Sequence, residues 1–217
     1  MAEKIFDESK FDGQIAVILG SGLGKITNTI KNSISIQYIS IPHYPQTTVE
    51  GHPGELVLGK IHDINILIAK GRFHYYEGYS FEEITIPIQL FSRLGIKYLI
   101  ITNSAGSMNL NHPPGNFMIA DSHMDCTFRS DSNDPEIRSH SIFHNPSLIQ
   151  LSKSSAKKLK QEINTGTYCW TLGPCYETPA EIENMRDLGG DAVGMSTVPE
   201  IVTAAKLGIK TLTLSCL

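Results

Sequence analysis

The sequence predicts one α/β domain over residues 1–217, with a central mixed, largely parallel, twisted sheet flanked by helices. Three observations predict it. Apolar, β-branched runs at 14–19, 64–69 and 98–101 each stop in a polar or glycine-rich loop. Stretches of helical spacing such as 81–94 separate strand-like runs, as crossovers between parallel strands require. No linker-like stretch divides the chain, and 217 residues can bury a sizeable core.

Residues 14–19 read as a buried strand feeding Gly20-Ser21-Gly22-Leu23-Gly24. This turn has two readings: a phosphate loop, in which exposed N–H groups and the Ser21 hydroxyl hold an anion, or a plain tight turn before a helix. It is not a dinucleotide fingerprint, because Lys25 stands where the third glycine belongs. It is not a Walker loop either, because Leu19 occupies the first glycine position and Ile26 follows Gly24-Lys25. Residues 34–41 partly alternate and give way to the turn-rich Pro42-His43-Tyr44-Pro45. Residues 49–54 form a loop centred on His52, and 55–59 and 64–69 pair as strands about His62-Asp63.

The next helix, 81–94, is apolar at 81, 84, 88, 91 and 94, ends at Gly95, and is kinked by Pro87. A strand at 98–101 then runs into the small-residue loop 102–107. Residues 121–145 read as a polar connection containing His123, His140 and His144, with no ligand motif that would hold a metal. A helix is expected over 146–163, burying Leu148, Leu151, Ala156, Leu159 and Ile163. A strand at 167–172 ends in Gly173-Pro174-Cys175-Tyr176-Glu177-Thr178-Pro179, where proline and the following acids start a helix that reaches Gly189-Gly190. Residues 191–200 pass from a short strand into a helix ending near Leu207, and 210–217 form a last strand. A buried strand is an unusual place for a chain to stop, so a further C-terminal part is expected to be missing.

Composition narrows the function. A net charge of −4 and a pI near 6.0 give no basic face for nucleic acid. The lysines at 153–160 have the spacing of a solvated helix face. No apolar run reaches the about 18 residues of a membrane span, and the N-terminus lacks the pattern of a signal peptide. The four cysteines show no paired zinc spacing, so free thiols and a cytoplasmic location are expected.

The chemistry concentrates in Gly71-Arg72-Phe73-His74-Tyr75-Tyr76-Glu77-Gly78-Tyr79. A guanidinium, an imidazole, a phenol and a carboxylate follow the strand at 64–69 directly, at the carboxyl end where open α/β sheets keep ligands. Arginine's planar fork suits an oxyanion such as phosphate. The other reading is an aromatic-rich surface loop with an ion pair.

Taken together, six segments resemble the trimeric, low-molecular-mass class of purine nucleoside phosphorylases. They are Gly20-Ser21-Gly22-Leu23-Gly24, Gly51-His52-Pro53-Gly54, Gly71-Arg72-Phe73-His74 with Tyr76-Glu77-Gly78-Tyr79, Thr102-Asn103 with Ala105-Gly106, Gly173-Pro174 with Tyr176-Glu177-Thr178, and 194–200. They occur in family order and span nearly the whole chain. The resemblance implies a phosphorylase-like fold, a homotrimer, and attack of phosphate on a purine (deoxy)ribonucleoside, with phosphate as co-substrate and no cofactor. It implies phosphate binding by Ser21, His52, Arg72, His74, Ser196 and the N–H near Ser104, with Glu77 orienting His74. Nucleoside binding falls to Tyr76, Asn103, Tyr176, Glu177 and Met195, with Phe143 reaching a neighbouring subunit's ribose pocket. His74, Tyr76 and Glu177 carry the catalytic roles. The carboxylate of Glu177 suits a 6-oxopurine, which has an N1–H to donate.

The chain departs from the pattern at Ser104, Ser107 and Ser122, and at its end, where family members continue into an asparagine that binds the leaving base. Three further readings stay open: a silent homologue that keeps the phosphate half of the site, methylthioadenosine phosphorylase-like activity, and a structural remnant.

Overall fold

The computed structural model describes residues 1–48, 53–129, 131–132 and 134–217. Helix α1 (Ala2–Ser9) places Ile5 in the core and leads to β1 (Ile15–Leu19), whose last four residues are buried. Strands β2 (Lys31–Gln37), β3 (Glu55–Ile61) and β4 (Ile64–Lys70) form an antiparallel meander. The β3–β4 turn has His62 and Asp63 at φ 47° and 64°, the left-handed pair of a tight hairpin. β2 stops short of the expected run because Tyr38 turns inward, where its hydroxyl donates to the Gly71 carbonyl at 2.9 Å.

The helical stretch at 81–94 is divided into α2 (Phe81–Ile84) and α3 (Ile86–Arg93). The break at Thr85 precedes Pro87, whose ring cannot continue the helix bonds behind it. Ser80 and Glu83 form a capping box at the start of α2. β5 (Tyr98–Ser104) and the two-residue β6 (Gly106–Ser107) follow, separated by Ala105 alone.

The structure corrects the sequence reading of 121–145. Its first residues belong to β7 (Phe117–Asp125), a nine-residue strand inside the sheet. Polar residues disguised it, and Ser122 and His123 find partners on neighbouring elements once buried. Ser122 Oγ lies 2.8 Å from Thr167 Oγ1. His144 Nδ1 lies 3.0 Å from the Ala120 carbonyl and must donate to it, so His144 Nε2 accepts from His123 Nδ1 at 2.8 Å. Among the described residues no three metal-ligating side chains stand together.

Helix α4 (Pro146–Lys158) is shorter than expected, because Ile163 already belongs to β8 (Ile163–Trp170). Leu151 and Leu159, expected to be buried, are 63% and 78% exposed; Ala156 is the buried residue of this helix. Its core-facing surface is small, so apolar spacing overstated the burial. Thr178 caps α5 (Pro179–Asp187), and β9 (Ala192–Gly194), α6 (Val198–Lys206) and β10 (Lys210–Cys216) complete the chain.

The strands form one mixed sheet in the order β2-β3-β4-β1-β5-β10-β7-β8-β9-β6. β4, β1, β5 and β10 are parallel, as are β7, β8 and β9; the β10–β7 pair is antiparallel. The outermost strand, β6, is the covalent continuation of β5 and pairs with β9. The second half of the sheet therefore curls back onto its own middle. That closure brings the loops after β8 and β9 against the loops after β1, β4 and β5.

Burial holds both histidines neutral, lowering the pKa of His123 to about 3 and of His144 to about 4. The unfolded chain takes up these protons near 6.5 while the fold does not. Stability is expected to fall as pH drops from about 6.5 towards about 4. Urea midpoints across this range check it, with a shallower slope in His144→Asn.

Candidate active site

Where the curled sheet meets itself, a cleft of about 440 Å³ opens between the strand-end loops. Ser21 enters it from the loop after β1, and Arg72, His74 and Tyr76 from the loop after β4. Asn103 and Ser104 enter from the end of β5, Tyr176 and Glu177 from the loop after β8, and Met195 and Ser196 from the loop after β9.

Arg72 is 3% exposed and held as a fork. Its Nε and Nη2 donate to the two Glu200 carboxylate oxygens at 3.2 and 3.0 Å, and Nη1 donates to the Thr102 carbonyl at 2.8 Å. These contacts use three of the five N–H groups of a guanidinium and fix its plane at the cleft wall. Sequence reasoning gave Glu200 no role. Its place on the first turn of α6, far along the chain from Arg72, left no local signal.

His74 lies against Tyr76, ring centroids 4.8 Å apart and nearly parallel at 17°. Its Nδ1 is 3.0 Å from Glu77 Oε1, which also accepts the His74 backbone N–H at 2.7 Å. The other Glu77 oxygen accepts the backbone N–H of Thr48 at 3.0 Å and its hydroxyl at 2.5 Å. Burial alone would raise the Glu77 carboxyl; the bonds from His74 and Thr48 outweigh it and bring it to about 2. Burial, then the Glu77 charge, raises the Tyr76 phenol. Gly71 and Gly78, at φ 124° and 91°, make the sharp turns on either side. The remaining aromatics of this stretch serve the core: Phe73 packs on Tyr38, Tyr44 and Tyr79 with centroids 5.7, 5.8 and 5.8 Å away.

Around the opposite loops, Glu177 Oε1 accepts from Thr171 Oγ1 at 2.5 Å, which anchors the carboxylate at the cleft. Tyr176 is 91% exposed and borders both this cleft and a second one of about 440 Å³ on the far side of its loop. Ser104 Oγ donates to the Ser21 carbonyl at 3.3 Å and ties the glycine-rich loop to β5. Gly20 passes so close to β5 that a Cβ there would sit 2.6 Å from the Asn103 Cα. Phe143 is not part of this lining; it is half-buried and meets His123 edge-on at 5.1 Å. His52 lies outside the described residues.

Residues 14–217 match the model of the phosphorylase superfamily. Purine nucleoside phosphorylase 1 of Geobacillus stearothermophilus is 41% identical over 211 residues, covering 94% of this chain and 77% of that one. The chain belongs to the purine nucleoside phosphorylase family. Its fold superposes on isoform 2 of the Schistosoma mansoni purine nucleoside phosphorylase, solved with cytosine and ribose-1-phosphate. The TM-score is 0.89 at 37% identity, over 100% of this chain and 80% of that one. A Schistosoma mansoni purine nucleoside phosphorylase solved with inosine gives a TM-score of 0.89 at 33% identity, over 99% and 80%. The phosphorylase family thus accounts for the α/β architecture read from the sequence. No helix among the described residues is long and apolar enough to cross a membrane.

Two outcomes follow from this geometry. Glu200→Ala leaves a buried guanidinium unpaired and is expected to destabilise the fold by about 3–5 kcal/mol, read by urea denaturation. The Glu77 carboxyl is depressed, so its stabilisation is complete above pH about 4.5 and lost as pH falls through about 2. The melting temperature of Glu77→Gln is expected to lie below that of the parent chain at neutral pH and to converge with it in this acidic window.

Proposed function

We propose that the chain catalyses phosphorolysis of the N-glycosidic bond in 6-oxopurine (deoxy)ribonucleosides, inosine and guanosine, giving free base and (deoxy)ribose 1-phosphate. The observation that carries this reading is one cleft lined by both the Arg72 fork and the anchored carboxylate of Glu177. The first suits an oxyanion; the second suits a base with an N–H to donate. In this reading Ser21, Arg72, His74, Ser196 and the N–H near Ser104 hold phosphate, and His52 closes over it. Tyr76 and Met195 contact the ribose, and Tyr176 stacks on the purine.

A phosphate oxygen attacks the anomeric carbon as the bond to the base nitrogen breaks. The bonding pair leaves with the base, which takes up a proton, while the new C–O bond keeps the phosphate on the sugar. Pre-set donors around the phosphate stabilise charge where it develops, and Glu177 orients the base by accepting its N1–H. Relatives solved with inosine and with ribose-1-phosphate support this reading, because they hold the nucleoside and the sugar phosphate of such a reaction. A homotrimer in which Phe143 meets the neighbouring copy's ribose pocket belongs to the same proposal.

The experiment is release of hypoxanthine from inosine by the purified chain. Release is expected only with phosphate, and Glu177→Ala is expected to lower kcat/KM by about a hundredfold or more. Phosphate-independent release overturns the reaction type. Equal turnover of adenosine overturns the assignment to 6-oxopurines.

A further inference from the structure

Ser196 is presented to the cleft by an unusual piece of backbone. The Val198 N–H donates to the Ser196 carbonyl at 2.9 Å, closing a three-residue turn centred on Thr197. Thr197 has φ 79° and ψ −49°, a left-handed conformation that a β-branched residue resists. Such strain persists only where neighbours over-determine it. The neighbour here is Asn103, 1% exposed at the end of β5, whose Nδ2 donates to Thr197 Oγ1 at 3.0 Å. Thr197 Oγ1 in turn lies 3.1 Å from Ser196 Oγ.

Hydrogen bonds join these three groups. The Asn103 amide nitrogen donates to the Thr197 oxygen, and the Thr197 and Ser196 hydroxyls bond to one another with either as donor. The chain holds the Ser196 hydroxyl at the wall of the cleft it lines. Each bond in such a chain polarises the next.

We propose that Asn103 and Thr197 are positioning residues, forming a hydrogen-bonded relay that fixes the Ser196 hydroxyl for binding phosphate; this rests on the phosphate reading above. Among the described residues the buried Asn103 Oδ1 finds no partner, consistent with an amide held in place by its donor end. The relay also explains why a strained turn stands at this wall. A relaxed turn would separate Ser196 from the hydroxyl that orients it.

The test measures orthophosphate affinity by calorimetry on the whole chain and three variants. Thr197→Val removes the hydroxyl but keeps the branched shape, and Asn103→Leu removes the first donor. Each is expected to weaken binding about tenfold, the scale of one hydrogen bond to a charged group. Thr197→Ser keeps the hydroxyl and is expected to bind within about twofold of the parent chain. Parent-like binding by Thr197→Val overturns the relay, as does a Ser variant as weak as the Val variant. If Thr197→Val does not fold, Asn103→Leu and Thr197→Ser decide the matter by the same criteria. Absence of binding by the parent chain overturns the phosphate reading itself, and the relay with it.

Discussion

A guanidinium removed from water costs several kcal/mol unless an opposite charge and full hydrogen bonding meet it. Arg72 is in that position. The pair of bonds to Glu200 joins the loop after β4 to the first turn of α6, and the bond to Thr102 adds the end of β5. Three separate parts of the chain must therefore be assembled before this side chain is satisfied. Once they are, the fork is rigid, and a rigid cation with spare donors is what an oxyanion site needs. Folding and site formation are one event at this residue.

The sheet makes that assembly possible. An uncurled sheet would leave the loops after β8 and β9 away from those after β1, β4 and β5, because the β10–β7 pair reverses strand direction. The pairing of β6 with β9 curls the second half back and undoes this separation. Only then can Glu177 and Ser196 share a cleft with Arg72 and His74. Two residue pairs form this ladder, and the closure is reinforced by the Met108 and Asn109 N–H groups, which donate to the Asp191 carbonyl at 2.8 and 3.2 Å, and by the Asn103–Thr197 bond.

Around this frame the site is organised by local anchors. Glu77 holds His74 through one oxygen and Thr48 through the other, so the imidazole and the chain leading to the His52 segment share one carboxylate. Thr171, the residue that follows β8, anchors Glu177. In each case a functional group is fixed by a neighbour close in sequence or in the adjoining segment. Arg72 and Ser196 instead depend on partners that only the closed sheet supplies.

Much of this was written in the sequence. Apolar runs and turn residues determined β1, β3, β4, β5 and α5, and the family-ordered segments contain residues that line the cleft, from Ser21 to Ser196, though not Phe143. Those features depend on neighbours within a few positions, where residue type and spacing carry the physics. The strand β7 was hidden because its polar residues look solvated until Thr167 and His144 are brought beside them. Leu151 and Leu159 looked buried by spacing, but among the described residues they stay exposed. Glu200, the Thr197 turn and the closure through β6 were decided by tertiary structure alone, because each rests on a pairing between residues far apart in the chain. Such pairings leave no local pattern, since their stability comes from desolvation and geometry that exist only in the folded protein.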